Sequence, residues 1–184
     1  MKTTGIVLAG GKSKRFGEDK GLFLFRDKHL VLHALDILRP WCDELMISTN
    51  RPDSYQVFGV KTVKDVYPGC GPLGGIHAAL SNSRFSHAAF ISCDTPFIPT
   101  EIYPYLLENM ADHQAIMPVH GKYVETMCAI YHKSSLPSIE IAIEAKKYKI
   151  LEALKAMDVR FINIENESFF HAEIFHNINY KTDL

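Results

Sequence analysis

The chain has 184 residues, 47% of them hydrophobic, which suits one domain with a sizeable core. Its formal net charge is −1, which removes any bulk electrostatic case for a nucleic-acid partner or an anionic membrane surface. No apolar run approaches a membrane span, and the start lacks the long apolar core of a signal peptide, so a cytoplasmic location is the expectation.

The first predicted element is a strand, Gly5-Ile6-Val7-Leu8, which empties into Ala9-Gly10-Gly11 and then into Lys12, Lys14, Arg15 and Lys20. Residues 29–39 carry apolar positions at helical spacing (Leu30, Ala34, Leu35, Leu38), and Pro40 stops that helix. A strand over Glu44 to Asn50 and a shorter one over Val60 to Val63, ending at Asp65, come next. A glycine-rich turn, Pro68 to Gly75, leads into an apolar helix expected from Ile76. Ala88 to Ser92 reads as a strand that ends at Cys93-Asp94-Thr95-Pro96. Thr100 to Ala111 reads as a helix with Thr100 as N-cap. Ala115 to Pro118 and Val124 to Tyr131 read as strands around a Gly121 turn. Two amphipathic helices, Ser134 to Lys147 and Lys149 to Met157, precede a last strand, Val159 to Ile164.

Alternating strands and helices imply an α/β protein with a largely parallel sheet covered on both faces. In such open sheets ligands bind beyond the carboxyl ends of the strands. Gly10, Gly11, Asn50, Asp65 and Asp94 all fall at such ends, so one crevice can collect a glycine loop, an amide and two carboxylates. No repeat, low-complexity segment or linker divides the chain, so residues 1–184 read as one domain.

The glycine loop is the chemical centre of this pattern. Glycines let backbone N–H groups approach an anion closely, and basic side chains add to the cradle. The Gly11-Lys12-Ser13 triplet is not a P-loop, because that motif needs glycine at position 6, where Ile6 stands. The dinucleotide fingerprint G-x-G-x-x-G fails as well, for lack of a third glycine at the required spacing. The four cysteines, Cys42, Cys70, Cys93 and Cys128, contain no C-x-x-C pair, which argues against structural zinc and a disulfide framework. The nine histidines are scattered and read as surface or packing residues.

The run Leu8-Ala9-Gly10-Gly11-Lys12-Ser13-Lys14-Arg15-Phe16-Gly17-Glu18-Asp19-Lys20 resembles the signature of nucleotidyltransferases, most closely that of the molybdenum cofactor guanylyltransferase family. Three further blocks carry the resemblance: Gly71-Pro72-Leu73-Gly74-Gly75-Ile76, Cys93-Asp94-Thr95-Pro96-Phe97-Ile98-Pro99 and the C-terminal Asn177-Ile178-Asn179. The resemblance implies a Rossmann-like three-layer fold of the nucleotide-diphospho-sugar transferase type. It also implies transfer of GMP from GTP to molybdopterin with release of pyrophosphate.

On that resemblance, Leu8, Ala9, Gly10, Gly11, Lys20, Asn50, Asp65 and Asp94 bind nucleotide. Arg15, Lys20 and Asp94 carry the catalysis, and Asp94 holds Mg²⁺ as the cofactor. Asp65 either reads the guanine edge or holds the ribose, and Asn177 or Asn179 approaches the metal or the acceptor. GTP and molybdopterin are the implied small-molecule partners, with transient contact to proteins of the molybdenum cofactor pathway. The chain departs from the family pattern at Thr126-Met127, at Lys146 (where many members have glycine) and at Tyr180-Lys181. The competing readings are a related transferase using CTP or another nucleotide with a different phosphorylated acceptor, and a nucleotide-binding module without turnover.

Overall fold

The computed structural model describes residues 1–10 and 19–178. Its first strand, β1 (Thr3–Leu8), is buried along its whole length. After a 3₁₀ turn at Lys20–Leu22 the chain forms a small hairpin, β2 (Leu24–Phe25) and β3 (Lys28–His29). Its two turn residues, Arg26 and Asp27, have φ of 50° and 61°, the left-handed pair that a two-residue type I′ loop requires. The sequence carries no glycine there, so this hairpin was not anticipated.

Helix α1 (Leu30–Leu38) and strand β4 (Glu44–Ser48) follow much as the periodicity predicts. A single turn, α2 (Pro52–Tyr55), leads to β5 (Lys61–Val63). Helix α3 (Pro72–Asn82) begins four residues before the expected start. Pro72 opens its first turn, where a missing N–H costs nothing, so Gly74 and Gly75 are helical rather than turn residues. Strand β6 (His87–Ser92) and helix α4 (Ile102–Asn109) come next. Thr100 does not cap α4: its hydroxyl donates to Ile37 O at 2.8 Å and accepts from Trp41 Nε1 at 2.6 Å, which ties it to the end of α1 instead.

The expected strand over 124–131 is two strands. β7 (Ala115–His120) turns at Gly121 into the short β8 (Tyr123–Val124), and β9 (Ala129–His132) follows after a break. Helices α5 (Leu136–Glu144) and α6 (Ile150–Leu154) and strand β10 (Val159–Asn163) complete the set. α5 ends in a Schellman motif, with Lys146 N bonded to Ile143 O and Lys147 N to Ala142 O. Lys146 holds the left-handed position at φ 57°, the site that favours glycine.

The sheet runs in the order β10-β7-β9-β6-β1-β4-β5, with β8 on β7. Pairings β1–β4, β1–β6, β4–β5 and β7–β10 are parallel, while β9 runs antiparallel to both of its neighbours. Strand alternation then sorts the core into two layers. Ile6, Leu8, Met46 and Phe90 pack under α3, α5 and α6. Val7, Ile47, Ala89 and Ile91 face α1 and α4 on the other side. A third, small cluster joins Phe25 of the hairpin and Leu30 to Ile178 near the chain end.

Candidate active site

The register of the central strands builds the site. Leu8 of β1 pairs with Ser48 of β4 and Ser92 of β6, and Ser48 pairs with Val63 of β5. These four residues therefore lie in one row across the sheet. Two residues beyond each stand Gly10, Asn50, Asp94 and Asp65. Backbone bonds carry the register past the strand ends: Ala9 N to Ser48 O at 2.8 Å, Thr49 N to Val63 O at 2.9 Å, and Cys93 N to Leu8 O at 3.1 Å. Four residues far apart in sequence are thus delivered to one edge of the sheet.

A crevice of about 280 Å³ opens along this edge. Among the described residues its walls include Leu8, Ala9, Gly10, Lys20, Asp65 and Asp94, together with Gly71, Gly75, Cys93 and Met127. A Cβ added at Gly10 would meet nothing closer than 3.8 Å among the described residues. Gly75 is different, because its Cβ would come within 3.0 Å of Ser48 Oγ. That glycine serves the close fit of α3 on β4.

Asp94 is held on every side. Its Oδ1 accepts from Ser92 Oγ at 2.5 Å and its Oδ2 from Lys20 Nζ at 2.7 Å. Its backbone carbonyl accepts from Ile178 N at 2.9 Å. Thr95 closes the turn by donating to Ser92 O at 3.0 Å. The Lys20 and Asp94 side chains are 17% and 18% exposed, so the pair is largely withdrawn from water yet reachable from the crevice.

On the other flank, Asn50 Nδ2 donates to Asp65 Oδ2 at 2.8 Å. The Asp65 backbone N–H returns a longer bond to Asn50 Oδ1 at 3.4 Å. The Asp65 carboxylate lies over the first turn of α3, where the helix dipole favours negative charge. Cys93 lines the crevice as a buried thiol. Burial first, and then the adjacent Asp94 charge, push its thiol well above the ordinary value, so it stays protonated near neutral pH.

The structure thus brings together Leu8, Ala9, Gly10, Lys20, Asp65 and Asp94, with Asn50 bonded to Asp65 at the exposed rim. Asn177 is exposed, one residue before the Ile178 amide that binds the Asp94 carbonyl. Gly11, Arg15 and Asn179 lie outside the described residues. Two residues were missed by sequence reasoning. Asp19 was quoted only as part of the motif, yet it caps the Lys20–Leu22 turn by accepting from Gly21 N at 3.2 Å. Met127 was noted only as a departure from a family pattern, and it forms part of the crevice wall.

An α/β sheet of this order, with Gly10, a lysine and two carboxylates gathered at its carboxyl edge, defines a nucleotidyltransferase of the nucleotide-diphospho-sugar transferase fold. Residues 5–159 match the MobA-like NTP transferase domain, and the chain belongs to that family. It is 34% identical to the molybdenum cofactor guanylyltransferase of Aliivibrio salmonicida, over 100% of this chain and 94% of that protein. It is 31% identical to a probable molybdenum cofactor guanylyltransferase of Pelotomaculum thermopropionicum, over 100% of this chain and 91% of that one. Among solved structures, molybdopterin-guanine dinucleotide biosynthesis protein A from Archaeoglobus fulgidus superposes with a TM-score of 0.82 at 27% identity, over 98% of this chain and 94% of that one.

Proposed function

We propose that this protein transfers GMP from GTP to molybdopterin. A phosphate oxygen of molybdopterin attacks the α-phosphorus of GTP, the bond from that phosphorus to the β-phosphate oxygen breaks, and pyrophosphate leaves. The observation that carries the reading is the Lys20–Asp94 pair, 2.7 Å apart and facing the crevice that also holds Gly10 and Asp65. The reading agrees with the activity named for full-length relatives at 31–34% identity.

In this reading the first half of a single domain binds the nucleotide and the second half the acceptor. Leu8, Ala9 and Gly10 offer backbone against which the triphosphate lies, with no side chain at Gly10 to obstruct it. Lys20 is a mobile point charge that exchanges part of its contact with Asp94 for phosphate oxygen. Asp65, held by Asn50, supplies the carboxylate for the nucleoside half. Holding the triphosphate still and offsetting its charge lowers the barrier without a covalent enzyme intermediate.

The residues fit a magnesium ion. Among the described residues no group of three or more His, Cys, Asp or Glu side chains could hold a metal. Asp94 offers a hard carboxylate in the crevice against Lys20, and one or two carboxylates completed by substrate phosphates and water are the usual magnesium arrangement. Bound there, the ion would neutralise charge on the α-phosphate and the departing pyrophosphate.

The test is direct. The purified protein is incubated with GTP, molybdopterin and magnesium, and the guanine dinucleotide and pyrophosphate are measured. Formation of both in equal amounts is expected. Pyrophosphate release with CTP in place of GTP, and none with GTP, would overturn the guanylyl assignment.

A further inference from the structure

Lys20, which donates to Asp94, follows an anchored residue. It begins the Lys20–Leu22 turn, and the residue before it, Asp19, is anchored from two directions. Asp19 Oδ1 accepts from Gly21 N at 3.2 Å and from the Tyr55 hydroxyl at 2.6 Å. Arg51 Nη1 stands 3.9 Å from Asp19 Oδ2. The Asp19 side chain is only 14% exposed.

Tyr55 comes from the other flank of the crevice. It ends α2, five residues after Asn50, and is fully buried. Its hydroxyl presses on the turn itself, because a Cβ added at Gly21 would overlap it. The ring packs against Phe58, with centroids 6.0 Å apart, so its apolar body is satisfied independently of its hydroxyl. Burial, and then the bond to Asp19, raise the phenol pKa far above its ordinary value. The hydroxyl therefore keeps its proton and always donates.

We infer that Tyr55, acting through Asp19, is a positioning residue that sets Lys20 on Asp94 and couples the phosphate flank of the crevice to the Asn50–Arg51 segment on the nucleoside flank. The inference rests on the reading of Lys20 as the phosphate-binding group. Phenylalanine at 55 keeps the ring and removes only the donor. Asp19 then loses its shortest bond, the Lys20–Leu22 turn loosens, and the ammonium no longer has one defined place.

Two readouts test this on the full chain. The first needs no turnover. Lys20 is acylated by an N-hydroxysuccinimide ester and its rate read by peptide mass spectrometry, with Lys61 as the internal reference. Tyr55→Phe should speed Lys20 labelling by about threefold or more, as expected for loss of a hydrogen bond to a charged group. Asp19→Ala removes the same acceptor without touching the buried ring and should give the same gain. No gain in either variant overturns the inference.

The second readout is kinetic. Tyr55→Phe should lower kcat by about tenfold to 10²-fold while leaving KM for GTP within about threefold, the pattern of a group that acts on the transition state. In a Lys20→Ala background the same substitution should cost nothing further. Additive penalties would mean that Tyr55 acts elsewhere. Asp19→Asn, which retains an acceptor oxygen, should recover most of the rate that Asp19→Ala loses. A wild-type protein inactive with GTP and molybdopterin would sink the substrate assignment alone, since the labelling rates still report on the clamp.

Discussion

Lys20 Nζ lies 2.7 Å from Asp94 Oδ2, although 74 residues of chain separate them. A charged pair at the mouth of a crevice, each member mostly withdrawn from water, is poised to exchange one partner for an arriving phosphate. Lys20→Ala should lose on the order of 10²-fold in turnover, by analogy with removing one preorganised charge-stabilising group. Asp94→Ala should abolish turnover while the protein still melts cooperatively. Pyrophosphate release under magnesium saturation checks both, and near-full magnesium-dependent activity in Asp94→Ala would remove that carboxylate from the chemistry.

Nucleotide recognition can be read without the acceptor. In a thermal-shift panel of GTP, ATP, CTP and UTP, each with magnesium, GTP should stabilise most. A ligand at a hundredfold its dissociation constant contributes about 2.7 kcal/mol. Gly10→Ala has room for its methyl among the described residues, whose nearest atoms stand 3.8 Å away. Its melting temperature without ligand should match the wild type, while the GTP shift shrinks. A full GTP shift in Gly10→Ala would mean that the triphosphate lies away from that backbone.

Lys146 occupies the left-handed end of α5 at φ 57°, where a side chain is strained and glycine is not. Lys146→Gly should therefore stabilise the protein. An L-residue in this conformation costs roughly 1–2 kcal/mol, partly offset by the greater freedom glycine loses on folding, so a net gain of about 0.5–1 kcal/mol is expected. At this chain length that is a rise of about 1–4 °C in Tm by calorimetry. Activity should not change, because the residue is exposed on the end of a helix packed away from the crevice.

His87 and His132 face each other across β6 and β9, with ring centroids 4.8 Å apart. Burial first, then the His132 charge, then the N-terminal amino group lower the His87 pKa below its ordinary 6.5. The sign follows directly. In the window below 6.5 the unfolded chain takes up a proton that the folded chain resists, so stability falls as pH drops through that value. His87→Gln should flatten that part of the profile, as measured by urea midpoints at about pH 8 and about pH 5.5. An unchanged slope would assign the acid sensitivity to other groups.

Much of the site was legible because strand ends advertise themselves. Apolar runs ending at Gly10, Asn50, Asp65 and Asp94 mark positions where a parallel sheet must expose its carboxyl edge. The in-register row of Leu8, Ser48, Val63 and Ser92 then brings the four together. Thr100 and the Gly71–Gly75 stretch were misread for the same reason. Local rules assign a hydroxyl or a glycine to the nearest helix end, whereas Thr100 bonds to residues about sixty positions away and Gly75 is selected by the Ser48 side chain.

What the amino-acid order determined by itself was periodicity: which segments are strands or helices, which faces are apolar, and where polar residues interrupt them. Those properties depend on residues within a few positions of one another. Only the tertiary structure decided which strands are neighbours, that β9 enters antiparallel between β6 and β7, and that a buried Tyr55 hydroxyl meets Asp19 beside Lys20. Alternation tells a strand which face to bury but not against which partner. That choice belongs to side-chain packing between segments distant in the chain, and the Lys20–Asp94 pair exists only once it has been made.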